Sequence, residues 1–289
     1  MRLHPFRLLE PESLKDAIDA LGRVDGEARL VAGGTALVAM IRLGLVKPDR
    51  LVSLHRVPAL GRITVDDGSL VLGAMATHAD IERSRVVRDG WPLLAEAVHR
   101  VATPAIRASG TIGGNLAYAE AASDPAPALL CLDAEVRVAG PGRERVVPIA
   151  RFFRGFYEAA LDSGEIVTAV RVPRAPAAAR GGYVKYTSRS AEDKPLVGVA
   201  ALVALDASGR CVEARIALGG AAPTPMRAAQ AERTLRGEAL TDAALRAAAE
   251  AAAGEADPLS DLMGSASYRR EMVRVWVRRL LITLRDGAK

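Results

Sequence analysis

Two stretches of this sequence combine residue types that suit an anion. One is Ala32-Gly33-Gly34-Thr35-Ala36-Leu37; the other is Thr111-Ile112-Gly113-Gly114-Asn115, preceded by Gly110. Glycine reaches positive φ and lets a ligand approach the backbone with no Cβ between them. Successive N–H groups in such bends form a concave anion nest, and Thr and Asn side chains add polar contacts at its rim. Read singly, each stretch is a tight turn. Read together, with Asp124 following Asn115 at short range, they suit the doubly charged pyrophosphate of a nucleotide cofactor.

The flanks show what must position them. An apolar strand-like run, Leu30, Val31 and Ala32, enters the first stretch, and a helical pattern of Leu37, Val38, Met40 and Ile41 leaves it. A strand–Gly-Gly–helix unit aims the helix N-terminus, with its partial positive charge, at whatever the glycines touch. The second stretch, with glycines at 110, 113 and 114, reads as a loop, poor as helix and poor as strand. Asp124 and Pro125 then open an apolar helix.

The remaining chain gives the frame. Residues 1–60 read β-α-β-α-β, a small α/β unit, whose first helix starts at Ser13 with Asp16 in a capping position. A hairpin follows around Asp66-Asp67-Gly68, with Thr77 or Asp80 capping the next helix. Pro92 opens another helix over residues 91–98. Strand patterns cover 135–139, 145–147 and 164–172. Residues 174–182 are rich in Ala, Pro and Gly and read as a linker, dividing the chain into 1–175 and 180–289. Beyond it, strands over 183–187, 197–205 and 212–218 precede helices over 226–235, 242–253 and 266–285. The expectation is an α+β protein whose smaller C-terminal domain has a three-stranded antiparallel sheet covered by helices.

Composition narrows the function. The chain has 289 residues, with 39 Lys and Arg against 34 Asp and Glu, a net charge of +5. That excess is mild, and only 4% of residues are aromatic, so the basic stripe with stacking rings that nucleic acid requires is not expected. The two cysteines, Cys131 and Cys211, read as buried small hydrophobes in a reducing, cytoplasmic setting. They are too few for an iron–sulfur cluster, which takes four ligands. The four histidines are scattered, so no metal site is expected. No secretory signal or transmembrane run is visible. Neither the dinucleotide fingerprint nor the P-loop is present, and no spacing singles out an acid/base pair or any other catalytic set. A cofactor site without a catalytic constellation implies that the cofactor does the chemistry.

At this point the sequence resembles a known family. Ala32 to Thr35, Gly73-Ala74-Met75-Ala76-Thr77-His78, Thr111 to Ala117, Ser123-Asp124, residues 129–134, Gly164 to Thr168, Tyr183 to Lys185 and Ser267 to Arg270 match, in order, the medium, FAD-binding subunit of the molybdenum hydroxylases, the carbon monoxide dehydrogenase and xanthine dehydrogenase type. The resemblance implies an FAD-binding domain of two subdomains, of the vanillyl-alcohol oxidase (PCMH) type, ahead of the smaller C-terminal domain. It implies that Ala32, Gly33, Gly34, Thr35, Ala36 and Leu37, with Thr111, Ile112, Gly113, Gly114 and Asn115, line the FAD diphosphate. Asp124 is then expected on the sugar or ribityl hydroxyls, Ile166 or Val167 on the ring system, and Lys185 at the flavin's polar edge. It further implies a large molybdenum–pterin subunit and a small subunit with two [2Fe–2S] clusters as partners, in a dimer of heterotrimers (a heterohexamer). Electrons would pass from those clusters through FAD to NAD, a quinone or oxygen.

Overall fold

The computed structural model describes residues 4–22 and 26–287. The first unit runs β1 (Arg7–Leu9), α1 (Leu14–Gly22), β2 (Ala28–Val31), α2 (Leu37–Arg42) and β3 (Arg50–Ser53). Its three strands form a parallel sheet in the order β1-β3-β2, as the alternating β-α pattern requires. Ser13 accepts from the Asp16 N–H and donates to its carboxylate, which starts α1.

The second unit is built on a five-stranded antiparallel sheet, β4 (Ile63–Asp66), β5 (Ser69–Gly73), β6 (Glu135–Gly140), β7 (Arg143–Pro148) and β10 (Ile166–Val172), in the order β4-β5-β10-β6-β7. Between β5 and β6 lie six short helices: α3 (His78–Arg83), α4 (Arg85–Gly90), α5 (Pro92–His99), α6 (Pro104–Ser109), α7 (Ile112–Tyr118) and α8 (Pro125–Cys131). A small hairpin, β8 (Phe153–Gly155) with β9 (Glu158–Ala159), precedes β10. Thr77 and Asp80 both cap α3, in a reciprocal capping box. Trp91 is buried, and its indole N–H donates to the carbonyls of Val172 and Pro173, tying α5 to the end of β10.

The third unit holds β11 (Arg180–Tyr186), β12 (Val197–Leu205), β13 (Cys211–Gly219), β14 (Met226–Arg227), α9 (Ala229–Leu235), α10 (Asp242–Glu255) and α11 (Ala266–Asp286). This sheet has four strands in the order β11-β12-β13-β14, which corrects the expectation of three. The fourth is a two-residue strand pairing with Ala217 and Leu218. It occupies what the sequence suggested was the first turn of a helix, and α9 starts only at Ala229. Nor is 174–182 wholly a linker, because Gly181 and Gly182 already pair with Leu202 and Ala201.

β12 explains how the units join. Side chains alternate across a strand. Ala200 and Leu202 enter the core shared with α5 and α8, whereas Val197, Val199, Ala201 and Val203 enter the core under α10 and α11. A strand buried on both faces needs an unbroken apolar run, which is what residues 196–205 supply. On α10, Leu245, Ala248, Ala249, Ala252 and Ala253 form a buried stripe at helical spacing.

Candidate functional site

The first glycine stretch leaves β2 and turns into α2. Gly34 has φ +71°, a left-handed conformation that a side chain would strain. Among the described residues, the N–H groups of Gly33, Gly34, Thr35, Ala36 and Leu37 donate to no other group of the chain. Ala36 precedes the helix without a side-chain cap, so nothing of the protein's own satisfies these donors. A run of unpaired donors at a helix start is chemically an anion site.

The second stretch is built differently from the sequence expectation. It is not a loop: Thr111 caps α7, its hydroxyl accepting from the Gly114 N–H at 3.1 Å, and the glycines form the helix's first turn. The Ile112 and Gly113 N–H groups donate to the carbonyls of Ala76 and Ala74, and Asn115 N–H donates to Thr111 O. These amides are satisfied internally, so the segment offers a ligand its surface and the Asn115 amide rather than a nest of free donors. Tertiary contacts with the turn Ala74–Ala76 that follows β5 outweigh the helix cost of glycine, about 1 kcal/mol per residue.

The two stretches converge. A Cβ built on Gly33 would lie 1.9 Å from the Ser109 carbonyl oxygen, and one on Gly114 would lie 3.4 Å from the Ala32 Cβ. Together they wall a cavity of about 740 Å³, within the size range of small-molecule and cofactor sites. Ala32 through Leu37, Thr111, Gly113, Gly114, Asn115, Ile166 and Val167 all line it. Leu30, Met40, Leu54 and Met75 add apolar surface. Ile112 does not line it, being fully buried in the core.

Asp124 and Lys185 are brought to each other rather than to the cavity wall. Their charged groups are 3.2 Å apart with side chains 7% and 4% exposed. The Tyr183 hydroxyl donates to the other Asp124 oxygen at 2.7 Å, and Lys185 also donates to the Arg100 carbonyl. Burial pushes the Asp124 carboxyl up to about 6, against the opposing pull of Lys185 and Tyr183. The pair stands close behind the cavity. Ser123, next to Asp124, donates to the cavity-lining Asn115, and Arg100 adjoins the cavity-lining Val101.

Three further residues at the cavity were not singled out as site residues. His78 lines it and is almost wholly buried; burial, with the nearby Arg107 charge, lowers its imidazole to about 4, so it stands neutral. Tyr118 and Tyr157 line it as well, their ring centroids 5.0 Å apart. Tyr118 lies one helical turn beyond Asn115, a relation that shows only when the segment is read as helix. Nothing near Tyr157 in the sequence marks it.

The cavity fits FAD on its own chemistry: unpaired amide donors for a diphosphate, apolar walls for rings, and a polar Asn at the junction. Comparison with known proteins agrees. Residues 4–175 match the family described as the FAD-binding domain in molybdopterin dehydrogenase. Residues 182–284 match the CO dehydrogenase flavoprotein C-terminal domain. The carbon monoxide dehydrogenase medium chain of Hydrogenophaga pseudoflava is 35% identical over 277 residues, covering 96% of each chain. A putative xanthine dehydrogenase FAD-binding subunit of Escherichia coli is 31% identical over 271 residues, 93% of this chain and 92% of that one. Among solved structures, a reconstituted CO dehydrogenase from Oligotropha carboxidovorans superposes with a TM-score of 0.95 at 33% identity, covering 100% of both chains. Sequence, fold and cavity together place this chain in the molybdenum hydroxylase family, among its FAD-binding medium subunits of the carbon monoxide dehydrogenase and xanthine dehydrogenase type, which are oxidoreductase components.

Proposed function

We propose that this chain is the electron-transfer subunit of a molybdenum-containing dehydrogenase and holds FAD in the cavity between its two glycine segments. The observation that carries the reading is the row of unpaired N–H groups from Gly33 to Leu37, facing a cavity that the second segment closes. In this reading Ala32 to Leu37 line the diphosphate, the amides of Gly33 to Leu37 donating to it, and Thr111, Gly113, Gly114 and Asn115 form the opposing wall. Ile166 or Val167 packs on the ring system. Asp124 serves the sugar or ribityl hydroxyls, and Lys185 places a positive charge near the flavin's polar edge. Bound FAD supplies two-electron and one-electron redox chemistry; the protein residues bind it, orient it and exclude water.

The reading extends to architecture and partners. The chain divides near residues 175–180, and its parallel and antiparallel sheets form the two subdomains of a PCMH-type FAD-binding domain. A large molybdenum–pterin subunit hydroxylates substrate, and a small subunit with two [2Fe–2S] clusters relays electrons here. The whole is a dimer of heterotrimers in the cytoplasm, and the acceptor is NAD, a quinone or oxygen. Support comes from relatives named as medium chains of dehydrogenases. A second support is the cysteine inventory, because the only two cysteines, Cys131 and Cys211, are both buried and cannot ligate a cluster. No helix among the described residues is long and apolar enough to cross a membrane.

The test is purification of the chain alone, followed by co-expression with its candidate partners. One FAD per chain with a flavin absorption spectrum, reducible when the partner complex is given its substrate, is expected. A colourless chain that added FAD does not restore contradicts the reading.

A further inference from the structure

Where the cavity meets solvent, it is rimmed by a cluster that the diphosphate and ring contacts leave unused. Tyr157 lines the cavity yet is 54% exposed, so it stands at the opening. It occupies the tip of the β8–β9 hairpin with φ +52°, a conformation costly for a residue with a side chain and retained mostly where surroundings impose it. Its ring packs against Tyr118, at the end of α7. Its hydroxyl donates to Glu120 at 2.9 Å. Glu120 is itself largely buried, with its side chain 14% exposed, and pairs with Lys194, whose ammonium also lies 5.8 Å from the Tyr118 ring centroid.

Lys194 comes from residues 187–196, the connection between β11 and β12. The cluster therefore joins three separate segments: the α7 end, the β8–β9 tip, and a connection in the C-terminal sheet. Burial is the largest single influence on Glu120 and opposes its ionisation, but the bond and charge of Lys194, with the Ala122 N–H and the Tyr157 hydroxyl, together outweigh it and keep the carboxyl below its ordinary range. Burial and the Glu120 charge raise the Tyr157 phenol, so it remains a neutral donor. Tyr157 shares the cavity with Ile166 and Val167, the residues assigned to the ring end.

We propose that Tyr157, backed by Tyr118, is the aromatic cover over the ring end of the bound cofactor, and that Glu120 and Lys194 are positioning residues that hold it there. The inference rests on the FAD reading above. It makes the cover dependent on an ion pair between the β11–β12 connection and the α7 turn, so a movement of that connection uncovers the ring.

The experiment uses the full chain loaded with FAD and follows flavin fluorescence and FAD release by stopped-flow dilution. A phenol in contact with a flavin quenches its emission. Tyr157→Leu is expected to raise the fluorescence of bound FAD and to speed release roughly two- to tenfold, the loss of one aromatic contact. Tyr157→Phe keeps the ring without the bond to Glu120 and is expected to fall between. In the wild type, added salt is expected to speed release; in Lys194→Met that salt dependence is expected to be smaller, leaving only the part due to the diphosphate. Tyr157 is half exposed, so its variants should fold, and equal unfolding temperatures check this. FAD-loaded wild type and Tyr157→Leu with the same fluorescence and release overturn the inference alone. Phe and Lys194→Met variants that behave as wild type remove the positioning roles of Glu120 and Lys194. A wild-type chain that takes up no FAD overturns both the reading and the inference.

Discussion

Gly33 lies so close under Ser109 that a Cβ on it would meet the Ser109 carbonyl oxygen at 1.9 Å. The first glycine segment thus rests directly on the residue that ends α6, one step before the second segment begins. This contact, more than any nest in the second segment, makes the two converge. Gly33→Ala must force them apart. Overpacking of this kind costs about 1–3 kcal/mol, and the variant is expected to lose its FAD. Gly34→Ala is the contrast: its Cβ would meet only the Val38 and Val31 side chains, at 3.3 Å and 3.7 Å. Its cost is the left-handed backbone, about 1–2 kcal/mol. Flavin absorbance per chain and thermal unfolding separate the two, with Gly33→Ala expected to be the worse for FAD retention.

Asp124 makes stability depend on pH in an unusual direction. Its carboxyl is pushed up to about 6 in the folded chain, against about 3.9 unfolded. Between those values the folded state holds more protons than the unfolded, so this group's contribution to stability falls as pH rises from about 4 to 6. Asp124→Asn removes that slope. The unfolding temperature of the wild type relative to Asp124→Asn is expected to decline across the window, as read by thermal melts at stepped pH. A flat difference contradicts the assignment.

Lys185→Met leaves Asp124 buried beside Tyr183 without its counter-charge. Breaking such a pair costs about 3–5 kcal/mol. In the FAD-loaded chain the flavin reduction potential is expected to fall, because a positive charge is withdrawn from its vicinity. Spectroelectrochemistry checks this; an unaltered potential takes Lys185 out of the electron-transfer role and leaves it structural.

Glu165 anchors the start of β10, just before the cavity-lining Ile166 and Val167. Its side chain is 1% exposed and bonds both Arg143 and Arg145. The bond to Arg145 leads a set of contacts that overcome burial and hold the carboxyl at about 2. Being depressed, this group stabilises the fold above its unfolded value near 4.3, and that stabilisation is lost as pH falls toward 2. Glu165→Gln is expected to cost about 1–3 kcal/mol at neutral pH and to weaken acid sensitivity in that range, measured by urea unfolding at several pH values.

Much of this was legible in the residues. The strand–Gly33-Gly34–helix unit shows itself because a continuous apolar run, Leu30 to Ala32, enters it and apolar residues at helical spacing leave it. The apolar run 196–205 reads as strand from its residues, and the structure buries it on both faces. The second segment was misread as loop because glycine propensity is a weak prior, overridden here by the Thr111 cap and the packing of Gly113 on Ala74. The strand Met226–Arg227 was invisible because two residues carry no periodicity, and its existence depends on partners in β13. The pairing of Asp124 with Lys185 and the arrival of Tyr157 at the cavity are products of long-range packing that local pattern does not encode.

Amide hydrogen exchange on the chain, with and without FAD, tests the central claim most directly. The Ile112 and Gly113 amides, bonded to Ala76 and Ala74, are expected to be protected in both states. The amides from Gly33 to Leu37 are expected to exchange fast without FAD and to become protected when it binds. Fast exchange of those amides in an FAD-saturated chain would contradict the account.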